Sequence, residues 1–253
     1  MMELYQFRCS HFCEKVRWAL DYKGIPFRAV DLVPGRHVRV VRRLAKGSSV
    51  PVLVDGEHVV QGSGAIISHL DQLHQGRRLT PGDALAASMA TEWERYLDTQ
   101  IGVPLRLWFY HHLLPDRAAT LDFLLQGAPW HARPLYTLTW PVMRKRMRSY
   151  MNINEDTAGQ AERTLLAAFE RLDEALAERR FLIGSRFSRA DLSACALLGR
   201  FCLPASEADA ARQPAGVRAL RERVQARPFY RWVGQMYAEY RHPAMPAGAP
   251  VED

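Results

Sequence analysis

Glu3-Leu4-Tyr5-Gln6-Phe7-Arg8-Cys9-Ser10-His11-Phe12-Cys13-Glu14-Lys15-Val16-Arg17-Trp18-Ala19-Leu20 decides the fold, because its periodicity changes within a few residues. Glu3 to Phe7 reads as a short strand. From Ser10 to Lys23, Phe12, Val16, Ala19 and Leu20 recur at helical spacing and face a sheet, while Glu14, Lys15 and Arg17 point outward. Gly24 and Pro26 punctuate the end of that helix, and Phe27 to Leu32 reads as a second strand. A strand, a helix and a strand in this order form a parallel crossover.

Working outward, residues 35–47 are basic and helical or irregular. Val50-Pro51-Val52-Leu53-Val54 and His58-Val59-Val60 flank Asp55-Gly56, which is a hairpin signal. Ser63 then caps a helix whose Ile66, Ile67 and Leu70 face the sheet and which ends before Gly76. Residues 75–83 read as a linker, and the pattern beyond it is helical. The first helix after the linker, from about Asp83, is expected to kink or break before Pro104 and resume through Leu114, since proline lacks a donor and crowds the previous turn. Further helices are expected near 116–126, 132–151, 155–179, 188–202, 214–226 and 228–240. Phe187-Ser188-Arg189-Ala190-Asp191-Leu192 carries a capping box, Ser188 against Asp191, with Phe187 and Leu192 as the staple. The expected organisation is therefore an α/β domain over 1–76, an all-α domain over 83–242 and a flexible tail over 243–253.

The 253 residues are 48% apolar and 24% charged, a composition able to bury a sizeable core. Neither a signal-peptide stretch at the start nor an apolar run of spanning length is present, so the expectation is a cytoplasmic protein that does not enter a membrane. The four cysteines are too few to staple a chain of this length and are expected reduced; their spacing matches no metal motif, and no metal is assigned. The net charge of +7 favours anionic partners. Arg144, Lys145, Arg146 and Arg148 read as a solvated helix face rather than a nucleic-acid surface, since no nucleic-acid motif accompanies them.

The element order, together with the segments 10–17, 50–53 and 187–192, resembles the cytosolic glutathione transferase superfamily, of the serine/cysteine type found in bacteria. The resemblance covers about residues 2–240. It implies a thioredoxin-like N-terminal domain, an all-α C-terminal helical bundle and a homodimer. It also implies glutathione as co-substrate and a small hydrophobic electrophile as its acceptor.

By residue, the resemblance puts Ser10 where the thiol-activating group stands. Read alone, Ser10 is an ordinary N-cap. Lowering a free thiol from about 8.5 toward 6.5 asks for about 2.7 kcal/mol, within reach of one charge-assisted hydrogen bond and a helix N-terminus. Val50 and Pro51, the latter in cis, would hold the cysteinyl backbone of glutathione. Gln61, Gly62 and Ser63 would hold its γ-glutamyl end, although relatives usually carry an acid at the position of Gly62. Arg36, His37 and Arg39 are the candidates for its glycine carboxylate. Phe12, Leu107, Trp108 and His111 are assigned to the acceptor pocket. Two other readings remain at this point: thiol–disulfide exchange through Cys9 or Cys13, and a non-catalytic binding module, suggested by Gly62. The buried reading is preferred for Cys195 and Cys202.

Overall fold

The computed structural model describes residues 1–204 and 206–241. The tail expected over 243–253 lies outside the described residues. β1 (Met2–Gln6) lies inside a four-stranded sheet of order β2-β1-β3-β4. It runs parallel to β2 (Phe27–Asp31), with Leu4 opposite Ala29, and antiparallel to β3 (Val52–Asp55), with Leu4 opposite Leu53. β4 (His58–Gln61) closes the hairpin on β3 through a turn at Gly56. α1 (His11–Lys23) makes the crossover that the opening stretch predicts, with Val16, Ala19 and Leu20 fully buried. α2 (His37–Leu44) is a short basic helix, and α3 (Ser63–Leu73) covers the sheet with Ile66, Ile67 and Leu70.

Two expectations about these helices change. Ser63 does not cap α3: the cap position is Gly62, and Ser63 is the first helical residue. Lys15, expected to point outward, is fully buried, with its ammonium 2.9 Å from Glu94 and 2.7 Å from Asp98. Burial of a lysine on this scale requires such partners. Both partners belong to the second half of the chain, so periodicity within α1 gave no sign of them.

The helical region comprises α4 (Ala84–Leu97), α5 (Val103–Leu113), α6 (Arg117–Leu124), α7 (Ala132–Tyr150), α8 (Glu155–Leu176), α9 (Arg189–Cys202), α10 (Glu207–Ala211), α11 (Ala215–Val224) and α12 (Pro228–Tyr240). Of the kink or break expected before Pro104, the break is absent, and the helix resumes to Leu113. A π turn over Asp98–Gly102 joins α4 to α5, and Pro104 falls in the first turn of α5, where proline is tolerated. α7 keeps Pro141 inside a continuous helix, and α10 is too short to leave a periodic signal. No helix among the described residues is long and apolar enough to cross a membrane.

One core runs through both regions and includes Leu4, Trp18, Ile67, Leu165, Phe169 and Leu198. α9 forms its pillar and is buried along almost its whole length. At its start Asp191 accepts from Ser188 N (2.9 Å), Ser188 Oγ (2.8 Å) and Leu182 N (2.7 Å), so the capping box read from the sequence also anchors the preceding loop. Phe187 stacks on Tyr240, ring centroids 4.4 Å apart, and on Trp18 of α1. A second, smaller cluster, Leu114, Leu121, Ala132, Tyr136, Trp140 and Ile153, lies beneath α6 and α7.

Candidate functional site

A cavity of about 1030 Å³ opens where the C-terminal edge of β1 and the start of α1 face α5, α7 and α9. Ser10 lines it as the N-cap of α1, with extended backbone (φ −82°, ψ 125°), and its Oγ accepts from Cys13 N at 3.3 Å. A hydroxyl that accepts from its own helix still has a proton to donate. At this position the donor sits on the positive end of α1, which favours an anion at the same place.

The neighbouring thiols are poorly suited to attack. Cys9 lines the cavity but is 7% exposed, and burial pushes its thiol up to about 12. At neutral pH Cys9 is therefore held as the thiol. Cys13 is fully buried and its thiol is likewise raised by desolvation. Cys195 and Cys202 are buried in α9, as read from the sequence.

Across the cavity mouth, the Val50-Pro51 peptide is cis. Val50 lies outside the sheet ladder, in which Val52 pairs with Tyr5, and lines the cavity. The loop is clipped by Gln61, whose Nε2 donates to Ser49 O (2.8 Å) and whose Oε1 accepts from Gly47 N (3.1 Å). Gln61 is thus occupied in holding the Val50 loop. Gly62 donates its N–H to Pro51 O at 3.0 Å and takes φ 97°, a region that favours glycine. Ser63 is buried at the start of α3, whose first helical hydrogen bond is donated by Ile66 to Gly62 O; the amides of Ser63, Gly64 and Ala65 precede it and point out of the helix end. Arg36 and His37 line the cavity, with His37 Nδ1 accepting from Gly35 N (2.9 Å); Arg39 is exposed and lies outside the lining.

From α5 the cavity receives Leu105, Arg106, Phe109 and Tyr110, whereas the expected Leu107, Trp108 and His111 turn elsewhere. Trp108 is buried in the core and donates to Glu162 Oε2 of α8 at 3.2 Å. Leu107 packs against the two apolar clusters, and His111 faces Glu155 at 3.6 Å. α5 is apolar on nearly every face because α8 packs on one side and the cavity lies on another, so its periodicity does not choose between them. Phe12 does line the cavity. Its ring sits where a side chain on Gly102 would collide, 2.6 Å from an ideal Cβ, so the π turn brings backbone against the cavity floor.

His11 was not singled out by its sequence position, yet it lines the cavity too. Its ring is hydrogen-bonded by the Gly102 backbone, and its Nε2 is buried without a partner. Burial, then the charges of Arg106, Lys15 and Arg200, push its pKa down to about 3. The ring is neutral, and Nε2 is a bare acceptor. Tyr110, against the same wall, has its hydroxyl raised well above the ordinary phenol range by burial. α7 roofs the cavity with Tyr136, Met143 and Met147, and Tyr136 Oη donates to Pro34 O on the sheet side at 2.5 Å. Neither His11 nor this roof had a local signal, since both depend on which helices pack across the chain.

Comparison with known proteins agrees with this fold. The glutathione S-transferase N-terminal domain family matches residues 4–78, and the glutathione S-transferase C-terminal domain family matches residues 136–228. Glutathione S-transferase 1 of Dianthus caryophyllus is 34% identical over 146 residues, 50% of this chain and 66% of that protein, so the chain spans just under two thirds of that relative's length. The tetrachloro-p-hydroquinone reductive dehalogenase of Sphingobium chlorophenolicum is 27% identical over 212 residues, 79% of this chain and 82% of that protein. A glutathione S-transferase of Methylobacterium radiotolerans, solved with glutathione sulfonate, shares the fold with a TM-score of 0.59 at 21% identity, covering 100% of this chain and 98% of that one. With both domain families matched in order along one chain that has their mixed sheet and helical bundle, the protein belongs to the glutathione S-transferase superfamily.

Proposed function

We propose that the protein activates the thiol of glutathione at Ser10 and transfers its sulfur to a small aromatic electrophile in the cavity. The observation that carries this reading is Ser10 itself: its hydroxyl is held by Cys13 N–H, retains a proton to donate and lines the cavity beside the cis Val50-Pro51 peptide. The Val50 backbone suits the cysteinyl part of the tripeptide. The free amides at the start of α3 suit the γ-glutamyl carboxylate. Arg36 or His37 suits the glycine carboxylate.

In the reaction the thiol proton leaves to solvent and the Ser10 hydroxyl donates to the thiolate. A carbon–sulfur bond then forms as the leaving group departs with its electron pair. The Phe and Tyr walls fit an aromatic acceptor, and the Sphingobium chlorophenolicum relative carries the name of an enzyme acting on a chlorinated hydroquinone.

Ser10→Ala tests this directly, with 1-chloro-2,4-dinitrobenzene as acceptor. Losing a charge-assisted hydrogen bond of about 1.5–3 kcal/mol should cut kcat/KM near pH 6.5 by roughly 10- to 100-fold and raise the apparent thiol pKa by one to two units. Cys13→Ser should leave the profile in place. An unshifted pH profile in Ser10→Ala would remove Ser10 from the chemistry.

We further propose that the working form is a homodimer. Leu85 and Met89 lie one turn apart on α4 and, with Leu73 at the end of α3, are exposed apolar side chains that a second copy would cover. Sedimentation should give twice the 28.8 kDa chain mass, and a single-chain species at micromolar concentration would sink this reading.

A further inference from the structure

We propose that the acceptor taken by this cavity is an aromatic compound bearing an anionic substituent of the carboxylate kind, seated on Arg106 and Arg200; this rests on the cavity being the acceptor site of the reading above. The charged residues of the lining are all basic, Arg36, Arg106, Arg146 and Arg200, and no aspartate or glutamate is among them. Arg36 stands at the end assigned to the glycine carboxylate of glutathione. Three remain for the acceptor, Arg106 of α5, Arg146 of α7 and Arg200 of α9, and of these Arg106 and Arg200 act on the same wall.

Arg106 makes no hydrogen bond or ion pair among the described residues. Arg200 donates only to neutral acceptors there, Arg8 O (3.2 Å) and Gln126 Oε1 (2.9 Å), and its guanidinium lies 5.5 Å from the Phe123 ring centroid. Less exposed arginines elsewhere are matched by carboxylates: Arg17 by Glu14, Arg227 by Asp173, and Arg241 by Glu14 and Asp21.

The two cations also act at one place. Both disfavour protonation of His11, and both oppose the burial that raises Tyr110, so their field falls on the same wall of the cavity. That wall is apolar, formed by Phe12, Phe109, Phe123 and Leu197, and a low-dielectric lining strengthens the attraction for an anion. A ring stacked there, with a carboxylate directed to Arg106 and Arg200, satisfies both features. A neutral aromatic satisfies only the first.

The test uses matched acceptors that differ in one charge. Binding of unreactive 3-nitrobenzoate and 3-nitrobenzamide is measured by titration calorimetry without glutathione, and conjugation of 4-chloro-3-nitrobenzoate and 4-chloro-3-nitrobenzamide is measured with it; there the glutathione sulfur displaces chloride. The benzoate should bind about tenfold or more tightly than the amide, with the preference shrinking as salt rises. Arg106→Met, which removes no hydrogen bond among the described residues, should lower the preference severalfold. The Arg106→Met/Arg200→Met pair should bring it to about twofold or less. Equal binding of the two ligands by the parent protein, or a preference that survives the double substitution, overturns the proposal. Preferential benzoate binding with no conjugation of either chloride supports it while removing glutathione transfer. Conjugation of both chlorides at equal rates does the reverse.

Discussion

His11 shows how one buried ring ties the site to the stability of the chain. Burial, with Arg106, Lys15 and Arg200 as the cations facing it, puts its folded pKa at about 3, below the 6.5 of an unfolded histidine. As pH falls below about 6.5 the unfolded chain takes up a proton that the folded chain refuses, so stability is lost with acid until about pH 3. His11→Gln removes that coupling. Between pH 6.5 and 5 the parent should lose about 2 kcal/mol through this ring that the variant keeps, read as a smaller acid shift of the urea midpoint in the variant. Parallel midpoint curves would show that His11 is protonated in the fold. Ser10 was legible because it stands where the strand pattern gives way to the helix pattern, and its side chain does accept from Cys13 N as a cap. His11 was not, because the Gly102 backbone that engages it is about ninety residues away and is presented by a π turn. Lys15 was misread for the same reason.

At the scale of single elements, the start of α9 is the part the sequence described best. Asp191 serves three donors rather than the one that a capping box gives its third residue, and one of them is in the preceding loop. Asp191→Ala leaves two buried backbone donors unpaired and should cost about 2–4 kcal/mol at neutral pH, measured by denaturant unfolding. Burial raises the folded pKa of Asp191 to about 6, above its unfolded value of about 3.9. The stability it supplies is fully present below the unfolded value and falls as pH rises through the folded one. The gap between parent and variant should therefore widen from pH 7.5 to pH 5, opposite in sign to the His11 effect, and a gap independent of pH would mean that the carboxyl is not desolvated. α5 was legible as a helix but not in its phase, since Leu105 to Leu113 is apolar on too many sides for periodicity to choose a face. Pro104 was read as a kink or a break, with no choice between them, because the widened turn before it leaves no pattern in the sequence.

Across the whole molecule, the sheet domain and the helices are joined by ions. Glu94 of α4 meets Lys15 of α1 at 2.9 Å and Arg189 of α9 at 2.5 Å, and Arg189 continues to Ser68 Oγ, Thr80 Oγ1 and Gly64 O. One buried anion thus answers two buried cations. Glu94→Gln should destabilise by about 3–5 kcal/mol, because removing one partner strands the others; a change under about 1 kcal/mol in the unfolding free energy would show that Asp98, 2.7 Å from Lys15, suffices alone. The order of the two domains was legible from where strand signals stop, but this joint was not, since charge patterns along a helix do not say which distant carboxylate will meet them. The α7 roof has a consequence of another kind. It rests on its own small cluster and reaches the sheet side through the Tyr136 to Pro34 hydrogen bond, while the cavity floor belongs to the main core. A ligand in the cavity therefore touches two bodies that are otherwise lightly joined and acts as mortar between them. Occupancy is then written into the amide exchange of α7, which slows when the site is filled even though the chemistry takes place at the far wall.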